Sequence, residues 1–360
     1  MGWCLVVGGY WGVRFGCLPA PPGFAERAPD PRAVAALEAW RALVAQTEAA
    51  APSTAIARPT PDAFADTARL EADVRALAFP RATPEARARA LDWLEDTVRS
   101  RLAGQAEVSV QRWSYPGGTN LVVERAPGAP GAGHILVGAH YDTVDGTPGA
   151  DDNATGVAAS LAVLSVWAPR PTPRGLKVVF FDQEELGLRG SRAYAERLRD
   201  THRAHLEAVV VLEMLGSTCA EPGCQRLPEG LPLNLGVDRG DFLAAVGNAS
   251  AIPMMVALRS LGAARGLPVR ALPVLGEGQD FPHARRSDHA PFWDLGLPAV
   301  MLTDTAELRT PHYHAVTDTP DRLDYDFLTR TTKTALDLVG ALLAAGPSLK
   351  GSGAAPGSSP

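Results

Sequence analysis

Short, densely apolar runs constrain this chain more than any other feature: AEVSVQRW, NLVVER, HILVGAH, LKVVFFD and AVVVLEML. Several are continuously apolar rather than alternating, which is the pattern of strands covered on both faces. Between them lie ATGVAASLAVLSVWA and SRAYAERLRDTH, whose apolar residues recur at helical spacing. Ahead of them, TPEARARALDWLEDTVRSRLAG offers Thr83 as an N-cap, with Pro84 in the first helical position. It carries Ala90, Leu91, Leu94 and Val98 on one face and closes at Gly104. A further helix over roughly 325–345 closes the domain. Strands alternating with helices specify an α/β fold, a three-layer α/β/α sandwich around a mixed, mostly parallel central sheet.

The 360 residues have room for one large domain or two small ones. Residues 1–29 are apolar and then proline-rich. The run from Trp3 to Val13 has the length of a signal-peptide core, but no Lys or Arg precedes it. It is too short for a membrane span. We read it as the remnant of an export signal or anchor, with a buried terminal segment as the alternative. The expected placement is therefore periplasmic, secreted or membrane-anchored rather than cytoplasmic. Residues 30–65 form a helical leader or linker, 66–345 the main α/β domain, and 346–360 a low-complexity tail expected to be disordered. A net charge of −6 leaves no electrostatic footprint for nucleic acid. The four cysteines form no CxxC pair; Cys219 and Cys224 are close enough to bridge a loop, or remain two thiols.

In sheets of this kind ligands bind beyond the carboxyl ends of the strands. His140 follows ILVGA, Glu184 and Glu185 follow VVFFDQ, and Glu213 follows VVVL, so three strands deliver polar residues to the same kind of position. In VGAHYDTVDGTPGADDNATG, turn chemistry explains Gly146, Pro148 and Gly149. It does not explain His140, Asp142 and the pair Asp151–Asp152. His314, in PHYHAVTDTPDRLDY, joins the same candidates. Two like charges roughly 4 Å apart repel by about 4 kcal/mol at an effective dielectric near 20. Bound divalent cations remove that cost, and imidazole with carboxylate is a donor set that zinc accepts.

The blocks GAHYDTV, PGADDNATGVAA, FFDQEELGLRGSRAY, LEMLG, SDHAPFWDLGLPAVMLTDTA and PHYHAVTDTPD occur in this order over residues 120–325. Together they resemble peptidase family M28, the co-catalytic zinc aminopeptidases. The resemblance implies two Zn2+ ions, one on His140 and Glu213, the other on Glu185 and His314, with Asp152 bridging them. It also implies a cis peptide between Asp152 and Asn153. Asp142 takes the place of a carboxylate that orients the His140 imidazole. Asp288 is an outer carboxylate or a helix cap. Glu184 has no ligand slot and stands where a general base takes a proton from the attacking water and returns it to the leaving amine. Tyr313 is a donor to the tetrahedral oxyanion or a packed loop aromatic. Glu213 departs from the best-studied members, which have Asp there. His134, His202, His205, His283 and His312 fit no ligand slot and read as surface or loop residues, while His289 helps to hold its loop.

These residues describe a zinc exopeptidase acting on the N-termini of peptide substrates, with no nucleic acid and no obligate protein partner. Three other readings compete. One is a glutaminyl cyclase-like acyltransferase with a single zinc. Another is a carboxypeptidase, which needs a basic pocket from Arg285, Arg286 or Arg309. The last is a non-catalytic binding domain. There is no GxSxG and no Walker A run. The walls of a side-chain pocket fall largely in residues 218–286, where motifs are fewest.

Overall fold

The computed structural model describes residues 65–201, 206–228, 237–279 and 281–345, together with the helical positions Glu38, Ala42 and Ala45. The N-terminal apolar segment, most of the leader, the C-terminal tail, His202 and His205 lie outside the described residues. Among the described residues no helix is long and apolar enough to cross a membrane.

Eight strands form one sheet: β1 (Val108–Tyr115), β2 (Gly118–Arg125), β3 (His134–His140), β4 (Gly175–Phe181), β5 (Leu206–Glu213), β6 (Leu243–Asn248), β7 (Val269–Val274) and β8 (Ala299–Thr303). Their spatial order is β1-β2-β4-β3-β5-β8-β6-β7. The middle of the sheet, β4-β3-β5-β8, is parallel throughout, with His140 opposite Phe181 and Glu213 opposite Thr303. The β1-β2 hairpin and the β6-β7 pair are joined to it by antiparallel contacts. The mixed, parallel-centred sandwich is the architecture the apolar runs specify.

Two layers of helix cover the sheet. On one face pack α1 (Thr67–Leu77), α2 (Pro84–Arg101), α3 (Gly156–Trp167), α5 (Ile252–Ala264) and α7 (Tyr325–Ala344); on the other pack α4 (Arg189–Thr201) and the single turn α6 (Ala290–Trp293). Alternation along each strand feeds both layers: Ile135, Val137 and Ala139 join the first core, Leu136 the second. The helix starts follow from capping. Asp66, Thr83 and Asp324 accept the backbone N–H of Arg69, Ala86 and Phe327 at 2.8, 3.2 and 2.9 Å. The α3 helix is buried from Gly156 to Val166 with no polar face, as befits a helix enclosed between the sheet and α7. Close approach governs its first residue. A Cβ on Gly156 would stand 2.3 Å from Leu212 O and 2.4 Å from Asn153 Oδ1.

The apolar runs named above leave β6, β7, β8 and α5 unmarked. The β6 strand (LAAVGN) is short and alanine-rich, and β7 (VRALPV) holds Pro273, which a strand tolerates at the sheet edge where β7 lies. His134 also differs from expectation. It opens β3 as a largely covered side chain, with Nε2 3.0 Å from Glu124 Oε1.

Candidate metal centre and the cleft beside it

His140 is the last residue of β3 and Glu213 the last of β5, while Glu184 and Glu185 follow β4 by three and four positions. Because β4, β3 and β5 are parallel neighbours, all four residues emerge at one end of the sheet. Asp152 comes from the turn between β3 and α3, and His314 from the loop before α7. His140 Nε2 lies 3.2 Å from Glu213 Oε1 and 3.3 Å from Asp152 Oδ1. His314 Nε2 lies 3.2 Å from both Asp152 Oδ2 and Glu185 Oε2. Glu184 falls within the same volume, its carboxylate oxygen within 4.8 Å of donor atoms on His140 and Glu185. All six residues singled out by the sequence for metal and base are therefore brought together.

This donor set fits zinc. Four donors about 2.0–2.1 Å from one tetrahedral ion are roughly 3.3–3.4 Å from one another. The observed contacts of 3.2–3.3 Å match that spacing. Among the described residues, Glu185 Oε1 is buried with no hydrogen-bond partner, as expected of an atom waiting for an ion or water.

Outer contacts fix the donors. Asp142 Oδ1 stands 3.4 Å from His140 Nδ1, and the two Asp142 oxygens also accept the N–H of Glu184 and Glu185 at 3.0 and 3.2 Å. The second Glu213 oxygen accepts from Ser287 Oγ at 2.6 Å. Asp318 accepts the N–H of Asp151 at 2.8 Å and of Asp152 at 3.1 Å. The Asp152–Asn153 peptide is cis, and Asn153 ties itself to Leu212 O, Met214 N and Gly156 N. Asp288 is fully buried and caps no helix. Ser287 and Asp318 escaped the sequence reading; the one available signal was an acidic residue four positions after His314. Gln183, Met214 and His314 adopt left-handed backbone, a clustering common at functional sites.

The ionisable groups are strongly perturbed. Burial raises the Glu184 pKa well above the ordinary carboxyl range, and Glu213, Asp288 and Glu185 add to the rise. Burial and Asp152 push Glu185 up to about 7. Burial opposes the charge on His314, yet Asp152 and Glu185 push it up to about 10. His140 and His314, working against burial, hold Asp152 well below its usual range. Protons thus occupy the role that a cation would take over.

A cleft of about 450 Å³ opens from this cluster. Asp152, Glu184, Glu185, Glu213 and Tyr313 line one end; Met214, Phe242, Val246, Leu272, Phe281 and Met301 supply apolar walls. The Tyr313 ring stacks on His314 with centroids 3.7 Å apart, and its phenolic oxygen accepts from Arg286 Nη2 at 2.9 Å. Arg285 is held by both oxygens of Asp294 at 2.8 Å. Arg309 is buried in bonds to Gln225, Ser217 O and Phe242 O and does not line the cleft. Cys219 and Cys224 form a disulfide just before Gln225 and Arg226 of the cleft wall. His289 is buried, with Nε2 2.7 Å from Ala284 O, and holds its loop as expected. His283 lies exposed on the cleft rim, and His312 faces Thr317 Oγ1 at 2.9 Å.

Comparison with known proteins sets this site in context. The uncharacterised protein YfbL of Escherichia coli K12 is 32% identical over 255 residues, spanning 65% of this chain and 75% of YfbL. The structure of the LapA aminopeptidase of Legionella pneumophila superposes with a TM-score of 0.60 at 18% identity, covering 85% of this chain and 75% of LapA. A glutaminyl cyclase of Porphyromonas gingivalis reaches 0.56 at 20% identity, covering 77% of this chain and 98% of the cyclase. Both likenesses speak to the fold alone. The model of peptidase family M28 matches residues 120–339, which is more than half of the sequence and takes in every member of the cluster. The chain belongs to peptidase family M28.

Proposed function

We propose that the chain is a zinc-dependent exopeptidase that removes N-terminal amino acids from peptides, using two zinc ions held by His140, Glu213, Asp152, Glu185 and His314. One observation carries the reading. The two oxygens of Asp152 are divided between two imidazoles, Oδ1 toward His140 and Oδ2 toward His314. With Glu213 beside the first imidazole and Glu185 beside the second, this division fits two cations better than one.

Zinc bound there supplies a Lewis acid for the scissile carbonyl and lowers the pKa of water. Glu184, whose buried carboxyl has a raised proton affinity, takes a proton from the attacking water and delivers it to the leaving amine. Asp142 holds the backbone of Glu184 and Glu185 while it faces His140, and Asp288 is a further buried carboxylate behind Glu213 and His140. The Tyr313 oxygen already accepts from Arg286, so its own proton is free to meet the developing oxyanion. The apolar walls suit an apolar side chain on the N-terminal residue. A cavity of roughly 150 Å³ accommodates benzene, and this cleft has about three times that volume.

The test combines elemental analysis with hydrolysis of leucine and phenylalanine p-nitroanilides by the wild type and Glu184→Gln. We expect two zinc ions per chain and an activity loss of about 10²–10⁴-fold in the variant, its zinc retained. Full activity in Glu184→Gln would refute the mechanism. A glutaminyl cyclase-like second reading would be favoured by a single zinc per chain and cyclisation of N-terminal glutamine. Arg286, which faces the cleft, motivates a carboxypeptidase reading, favoured by cleavage of N-blocked peptides with free carboxylates.

A further inference from the structure

We propose that Arg81, outside the family-matched region, is a positioning residue for the candidate metal centre, tying the chain just after His140 to the turn that introduces Asp152. The inference rests on the metal-centre reading above.

Arg81 lies in AFPRATPE, between α1 and α2, and is completely buried. Its Nε donates to Tyr141 O at 2.6 Å, one residue beyond His140. Its Nη2 donates to Gly149 O at 2.9 Å and Nη1 to Pro148 O at 3.0 Å, three and four residues before Asp152. Nη1 also reaches Phe79 O at 3.0 Å and Leu77 O, which anchors the fork to the end of α1. The Arg81 N–H donates to Thr143 Oγ1 at 2.9 Å. The planar fork thus joins three chain segments, two of which carry candidate ligands. A lysine, as a point charge, cannot span the same acceptors.

The turn is shaped to this contact. Gly149 has φ +64°, and a Cβ there would stand 2.8 Å from Arg81 Nη2 and 2.6 Å from Asp152 O. Among the described residues no carboxylate bonds the guanidinium directly. The anions that face it are Asp142, Asp152, Asp318 and Glu185, all in or against the metal cluster. A buried cation without them would be costly, and the same attraction lowers the cost of gathering those carboxylates. Burial still brings the Arg81 pKa down to about 10, which leaves it charged at neutral pH.

A purely structural role makes a different forecast, and Arg174 supplies the comparison. It too is buried, donating to Leu342 O at 2.6 Å and pairing with Glu207 at 2.7 Å, near the start of β5 and at the opposite end of that strand from Glu213. The experiment prepares metal-free wild type, Arg81→Met, Arg81→Lys and Arg174→Lys. It measures zinc affinity by competition with a chromophoric chelator and stability by urea unfolding. Arg81→Met should bind zinc about 10–100-fold more weakly, with Arg81→Lys between it and wild type. Arg174→Lys should lose stability while keeping its zinc affinity. Zinc affinities within about twofold of wild type in both Arg81 variants overturn the proposal. If neither variant folds, Arg81 serves the fold rather than the centre, and the proposal is equally overturned. Wild type that takes up no zinc removes the metal reading and this inference with it; wild-type binding with unaltered variants removes only the inference.

Discussion

Gly156→Ala sets two magnitudes against each other. Helix propensity alone favours the substitution by about 0.5–1 kcal/mol, and less at the first position of a helix. Packing opposes it. The new Cβ would sit 2.3 Å from Leu212 O and 2.4 Å from Asn153 Oδ1, closer than carbon and oxygen tolerate. Leu212 O belongs to β5 in the middle of the sheet and has little room to retreat. Overpacking of this kind costs about 1–3 kcal/mol. Asn153 meanwhile bonds Leu212 O, Met214 N and Gly156 N, and losing one such buried partner costs about 1–3 kcal/mol more. The steric term therefore wins, and we expect a net destabilisation of about 1–5 kcal/mol by urea unfolding at pH 7. Zinc binding should weaken too, since Asn153 links Asp152 to the residue after Glu213. A variant as stable as wild type, with the same zinc affinity, would show that the backbone yields there and would refute the reasoning.

Three further outcomes are expected. Asp318→Asn keeps one acceptor but turns an amide NH2 toward the N–H of Asp151 or Asp152, so it should cost about 2–3 kcal/mol and weaken zinc binding; chelator competition showing wild-type affinity would exclude a clamping role. Zinc must displace the proton from His314, whose pKa is pushed up to about 10 against burial by Asp152 and Glu185, so affinity should rise at least about tenfold per pH unit from pH 6 to 8. Calorimetry in buffers of different ionisation enthalpy should detect the released proton, and pH-independent binding would contradict this. Val246→Trp fills the apolar wall, and kcat/KM for a phenylalanine anilide should fall by about tenfold or more relative to an alanine anilide. An unchanged ratio would place the substrate side chain elsewhere.

What could be read from the sequence follows from how each residue is used. His140 and Glu213 stand out because each ends a continuously apolar strand, Glu185 because it follows one by four residues, and the parallel order of β4, β3 and β5 turns that pattern into proximity. Asp152 and His314 were candidates from their local pattern, but their particular ligand slots needed the resemblance, since both sit in loops whose positions the strand order does not fix. Arg81 was invisible. Its acceptors are backbone carbonyls, which leave no trace in side-chain identity, and those beside the candidate ligands lie 60 to 68 residues away along the chain. Ser287 and Asp318 likewise act through one and two contacts, respectively, to distant segments. The cleft walls escaped for another reason: β6 and β7 are short, and neither their alanines nor Pro273 advertises a strand.

The candidate ligands are scattered from residue 140 to residue 314, and the clamp on Asp152 arrives only at residue 318. A chain emerging from the ribosome therefore carries four of the five candidate ligands long before it carries His314. If the site holds two zinc ions as proposed, the set on Asp152, Glu185 and His314 is the last to be completed, and a product of synthesis or proteolysis that lacks the final loop keeps only the set on His140, Asp152 and Glu213.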